Sequence, residues 1–479
     1  MMDGAKAPRF EALDVLRGLA VLGMALSGMV PYRTLPAWMY HAQLPPPSRD
    51  FNPNIFGLTW VDIVFPMFLF AMGAAIPLAL SRRIEAGETN LTILKGLIGR
   101  GVLLAVYALV GQHLRPFVLA DKPSTVVWLI SLAGFVLIGL ILIRWPRDVP
   151  VKWRRSLTVA AWICAILIIG FWNYPDGTRG FANYRNDVIL MVLANVAVSG
   201  GAVWLWTRKC PATRWAVVAA LVALFLTRDL SGLGKMIWDW DPTNYLPFKN
   251  GPYGRFLPIL YHFEYHKYLL IVLPATFVGD MVCQASSGAD MDRILPRWNG
   301  AVLTWAGPIA ILIACVGLMA REVVATTIAL SALALAVAKL SHDSGLAQRL
   351  FRFAAPLLIV GLLCEPIGGG IRKDSATLSY FLVTSGLCCM ALGSLAVAAT
   401  SWSKLRVWGA IRDTGTNPIV GYLVITNLIW GIVGTTGLED GINNWTQNPW
   451  ILTFWALLKT VFVAAITAWF TRRKLFLRA

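Results

Sequence analysis

The sequence predicts an all-α, polytopic transmembrane helix bundle of about 12 helices (range roughly 10 to 14), with both termini cytoplasmic. Three observations predict it. The chain has 479 residues, of which 57% are hydrophobic and 14% charged. Apolar runs of about twenty residues, enough to cross a bilayer core, recur from end to end. The 42 Lys and Arg residues concentrate in alternate connections, as the positive-inside rule requires. The formal net charge of +17 is therefore topological. The lipid bilayer is the expected partner and nucleic acid is not.

The first helix, near 10–30, carries Asp14 and Arg17 in LDVLRG, three residues apart on one face. They either pair with each other or serve a site. These charges and the short polar head before them fit a retained first helix rather than a cleaved leader. The second helix, near 57–81, places Asp62 in its first turns, where a carboxylate is costly to bury and marks a functional site. Between the two lies a polar loop, 31–56, with His41 in MYHAQLPPP.

Further helices are expected near 95–112, 125–144, 156–172, 188–207, 213–227, 267–283, 300–320, 322–340, 352–365, 377–399, 417–435 and 450–471. No soluble domain fits between them, so residues 1–479 read as one membrane domain. The connections 31–56, 173–187, 228–266, 366–376 and 436–449 are long and rich in aromatic, Pro, Gly and Asn residues. Long ordered loops usually carry function. Segment 228–266 interleaves aromatics with Asp239, Asp241, Asn244, Lys249 and Arg255. That pattern suits a sugar ring, with its C–H faces and hydroxyls, and equally an interfacial aromatic belt.

Among the five histidines, His342 reads as a solvated turn residue and His113 as a helix C-terminal cap. His262 and His266 flank Glu264 in YHFEYHKY at i, i+4 spacing. Two histidines without a third ligand do not make a metal site, so no metal is expected and the three residues are assigned to substrate contact. His41 adjoins the Asp62 helix, the better placement for a general base. Asp280, Lys459 and the Arg321–Glu322 turn add further charge within apolar surroundings, suggesting a polar cavity. The seven cysteines lack a CxxC spacing and read as small core residues. No phosphate-binding loop, HExxH helix or GxSxG elbow is present, so coupling to ATP is unsupported.

LDVLRG at 13–18, GLTWVDIVFPMFLFAMGAAI at 57–76, PIGGGIRKDSATLSYFLVTSG at 366–386 and GTNPIVGYL at 415–423 resemble the bacterial relatives of heparan-alpha-glucosaminide N-acetyltransferase. That family implies a transmembrane acyltransferase of the bacterial inner membrane, with acetyl-CoA as donor and a sugar or amino sugar as acceptor on the far side. A homodimer is compatible with it. Its catalytic histidine falls a few residues before the G-L-T-x-x-D block, where this chain has Asn52. The role passes to His41 in the same loop, as general base or acyl carrier, with Asp62 or Asp14 to orient it. From their position by the same loop and helix ends, Asn52 or Asn54 is expected to donate to the thioester oxygen, Arg372 and Lys373 to meet anionic groups of donor or acceptor, Asn417 to line the cavity opposite, and Arg17 to contact substrate. Similar bacterial proteins are described as amino-sugar transporters, which makes a permease on the same fold the second expectation.

Overall fold

The computed structural model describes residues 10–32, 35–146, 148–240, 263–286, 297–342 and 345–477. The long helices are α1 (Glu11–Met29), α2 (Trp60–Glu85), α3 (Asn90–His113), α4 (Thr125–Leu142), α5 (Val151–Phe171), α6 (Val188–Thr207), α7 (Pro211–Thr227), α8 (Leu269–Ser286), α9 (Arg297–Met319), α10 (Val323–Leu340), α11 (Leu346–Leu363) and α12 (Leu378–Trp402). Then come α13 (Arg406–Thr416), α14 (Pro418–Leu423), a π-helical turn (Val424–Ile429), α15 (Trp430–Thr435), α16 (Leu438–Trp445) and α17 (Pro449–Arg472). Among the described residues 13 segments are long and apolar enough to span a membrane. The shorter apolar α7 falls just below that length. The protein is a multi-pass, all-α membrane protein whose helices lie close to the expected spans.

Three helices form the centre. The apolar windows of α2, α8 and α12 are 67%, 78% and 83% buried, whereas α5 is 17% and α10 22% buried. The peripheral pair therefore turns apolar side chains such as Ile166 and Val324 outward, towards lipid. Lipid is as apolar as leucine, so the centre is held by close approach of small residues. Gly73 of α2 sits where a Cβ would lie 2.5 Å from the Val272 carbonyl oxygen, and Gly279 of α8 where it would lie 2.3 Å from that of Ala74.

α13, short and amphipathic, packs on the first turns of α1. A Cβ on Gly415 would lie 1.7 Å from the Asp14 carbonyl oxygen. Gly415→Ala is expected to lower stability by about 1–3 kcal/mol, since overpacking forces the two backbones apart; a thermal unfolding midpoint in detergent equal to wild type would contradict this.

Candidate functional site

The loop between α1 and α2 folds back on itself. The Tyr40 hydroxyl donates to the Pro31 carbonyl at 2.6 Å, and the Asn52 N–H donates to the Gln43 carbonyl at 2.9 Å. These bonds bring His41 against the N-terminus of α2. Its Nδ1 lies 3.0 Å from Asp62 Oδ1, and its Nε2 lies 2.8 Å from Asp374 Oδ2. The imidazole is thus held edge-on between two carboxylates.

The carboxylates differ in setting. Asp62 is 1% exposed, whereas the Asp374 side chain is 46% exposed. Asp62 Oδ2 accepts from the Thr59 N–H and hydroxyl, each at 3.0 Å, and from the Ala42 N–H at 3.2 Å. This is the N-terminal capping arrangement at the third helical position, reinforced by the partial positive charge of the helix end. Oδ1 is left to face His41. The Tyr380 hydroxyl donates to the Asp62 carbonyl at 2.9 Å, which ties α12 to the same corner.

Asp374 arrives from the 366–376 loop, 333 residues away in sequence. The buried Gln43 holds it through a reciprocal pair. The Asp374 N–H donates to Gln43 Oε1 at 2.8 Å, and Gln43 Nε2 donates to the Asp374 carbonyl. The Gly57 N–H to the Ile371 carbonyl at 2.8 Å and Arg372 Nη1 to the Pro53 carbonyl at 3.0 Å complete the seam. Gly370 has φ +140°, and a Cβ there would lie 2.6 Å from Phe56, so only glycine fits.

Burial pushes the His41 pKa down, but the hydrogen bonds to Asp374 and Asp62 outweigh it and leave the ring above its ordinary value. Burial likewise pushes the Asp374 carboxyl up, yet His41 and the Lys373 charge hold it below its usual range. Imidazolium is the state that satisfies both carboxylates. In the neutral ring the tautomer that can act as a base keeps its proton on Nδ1, facing Asp62 Oδ1; in the other tautomer Nδ1 accepts from the Gln43 N–H at 3.2 Å and Nε2 keeps the proton. The two ring nitrogens point to different carboxylates on opposite edges, a geometry that pairs charges and does not converge on one ion.

Other residues singled out in the sequence fall into two groups. Lys373 lies beside the site and acts on His41, Asp62 and Asp374 through its charge. Asn52 and Asn54 are exposed on the same loop, with Asn52 Oδ1 accepting from the Asn54 N–H at 3.0 Å. His262 lies outside the described residues. Residues Phe263–Tyr268 form a 3-10 turn, in which Glu264 pairs with Lys267 at 2.5 Å and His266 is buried against Phe263. The Lys267 charge also reaches Asp374.

Asp14, Arg17 and Asn417 belong elsewhere. Asp14 is in the first turn of α1, whereas the His41 loop leaves its last turn, roughly 20 Å along the axis at 1.5 Å per residue. Asp14 therefore does not orient His41. It pairs with Arg17 at 3.4 Å, and Arg17 also donates to the Gly415 carbonyl at 3.1 Å. Asn417 Nδ2 donates to the Leu475 carbonyl at 2.7 Å, at that same end of the bundle. Neither Arg17 nor Asn417 reaches the histidine.

Among the described residues, several other charges near the apolar spans pair off at separate places away from the histidine. Arg214 meets Asp280 at 2.6 Å, Lys459 meets Glu439 at 2.9 Å, and Arg115 meets Asp187, which also accepts from Tyr422. Arg321 pairs with Glu365 at 2.8 Å, not with its neighbour Glu322. A cavity of about 580 Å³ opens at the far end of α2, lined by Glu85, Trp204, Arg208, Lys209, Phe277 and Asp280 among others. It lies some 35 Å along α2 from Thr59 and is a feature distinct from the histidine site.

Fold and site together define a polytopic helical membrane protein with a carboxylate-flanked histidine at one end of its bundle. Residues 9–282, more than half of the chain, match the family described as a domain of unknown function, DUF5009, and the chain belongs to that family. No curated protein matches it.

Proposed function

We propose that the protein is an integral membrane acyltransferase that moves an acyl group, acetyl in the first instance, from acyl-CoA to a sugar or amino sugar at the periplasmic face of a bacterial inner membrane. The observation that carries this reading is the placement of His41 between Asp62 and Asp374. Asp62 holds the Nδ1 edge and offsets the positive charge that forms on the ring. Nε2 takes the acceptor's proton as the acceptor attacks the thioester carbonyl, and CoA leaves as a thiolate that takes that proton back from Nε2–H. Asn52 and Asn54 offer amide donors to the developing oxyanion from the same loop. Arg372 and Lys373 add positive charge for anionic groups of either substrate. The resemblance in the 13–18 and 57–76 blocks supports the same reaction class.

The test is acceptor-dependent thiol release by the purified protein in nanodiscs with a panel of amino sugars. Absence of release with every acceptor, together with saturable sugar uptake into proteoliposomes, would establish the permease instead. The open cavity at the opposite end of the bundle is the feature that favours that second reading.

The raised His41 pKa has a pH consequence. A base must be neutral to accept a proton, so the acid limb of kcat/KM is expected above the ordinary histidine value of about 6.5. Asp374→Asn removes one of the charges that stabilise the imidazolium and is expected to shift this limb to lower pH. An unmoved limb in Asp374→Asn would mean that His41 is not the titrating base.

A further inference from the structure

We propose that the 366–376 loop is a lid over the candidate base, with Asp374 as its plug and Gln43 as its latch. This rests on His41 being the working base. One edge of the imidazole is closed by Asp62, which is 1% exposed and fixed in the cap of α2. An acceptor can therefore reach only the Nε2 edge, and Asp374 Oδ2 occupies it at 2.8 Å. Both ring nitrogens are engaged, so the conformation seen is closed. Turnover requires Asp374 to withdraw.

The loop is built to do so. Its plug is half exposed, and Gly368, Gly369 and Gly370 lie together just before it at φ +93°, +78° and +140°, a stretch without side-chain stiffness at the loop's root. Besides the Gly57–Ile371 and Arg372–Pro53 bonds, which an opening of the whole loop must also break, one contact acts on the plug itself. Gln43, 1% exposed, spends its whole amide on the backbone of Asp374, donating to the carbonyl and accepting from the N–H. Its own backbone N–H faces His41 Nδ1 at 3.2 Å. Gln43 is thus a positioning residue, bridging base and lid without touching the reacting atoms. The charges around the plug are Asp62 from α2, Lys373 on the lid itself, and Lys267 from the 3-10 turn before α8.

The experiment reads His41 directly, without relying on turnover. Carbethoxylation of His41 by diethyl pyrocarbonate in the full-length protein is followed by mass spectrometry against pH. The rate at the alkaline plateau, where the ring is neutral, reports access alone. Gln43→Ala is expected to raise the plateau about tenfold, the effect of losing roughly two neutral hydrogen bonds. Asp374→Ala should raise it similarly, and the double variant no further than Asp374→Ala, because Gln43 acts through Asp374. Asp374→Asn keeps the backbone latch and should leave the plateau near wild type. Equal plateaus in wild type and Gln43→Ala, or additive effects in the double variant, would overturn the lid. A lid that behaves as expected in a protein with no acyl transfer would refute the proposed reaction and leave the lid standing.

Discussion

Replacing His41 by alanine is expected to lower acceptor-dependent acyl transfer by about two to four orders of magnitude, the usual contribution of a positioned general base. The fold should survive at a cost of about 1–3 kcal/mol for Asp62 Oδ1, which loses its partner, because Asp62 Oδ2 keeps its three donors. His41 sits in a loop, its side chain is 11% exposed, and the bonds that shape the loop run through Tyr40, Gln43 and Asn52. Asn52→Ala should cost less, no more than the roughly 10²–10³ of a single oxyanion donor, because Asn54 remains beside it and the Asn52 side chain bonds within its own turn. The measurement is single-turnover thiol release, with circular dichroism as the check on folding. A His41→Ala protein that retains full activity would remove the residue from the mechanism.

Asp280→Leu is expected to be among the most destabilising single changes in the bundle, costing about 3–5 kcal/mol. It strands Arg214, which has no exposed surface and meets the carboxylate at 2.6 Å. Thr207 at 3.2 Å and Thr276 at 3.1 Å remain as partners, but neither carries charge. The Trp204 indole N–H loses its acceptor as well. Adding Arg214→Met should recover much of the loss, since an apolar pair of similar volume tolerates burial better than one unpaired cation. The readout is the thermal unfolding midpoint of the two variants in the same detergent. A double variant no more stable than Asp280→Leu would show that the cost arises from packing.

The helices were legible because crossing a bilayer imposes a length and composition that single residues cannot disguise. Half of the site was legible too. Asp62 is conspicuous as an acid in an apolar run, and His41 is its near neighbour along the chain. Asp374 was not legible, although Arg372 and Lys373 beside it were noticed. An aspartate in an exposed loop carries no signal of its own, and nothing local in PIGGGIRKDSAT says that Gln43 will pair with its backbone. The same limit explains Asp14 and Asn417. Sequence shows that both are polar groups near helix starts, but not which end of the bundle each start occupies until the direction of every helix is traced.

Asp62 binds folding and chemistry into one side chain. One oxygen serves the start of a central helix, and the other serves the ring of His41. A substitution at 62 therefore changes two quantities together, and loss of activity there cannot be apportioned between them. Position 374 is separable, because its carboxylate lies at the protein's edge and caps no helix. For anyone engineering this scaffold, the adjustable side of the histidine is the one the loop supplies; the other is fixed by the requirement that α2 begin where it does.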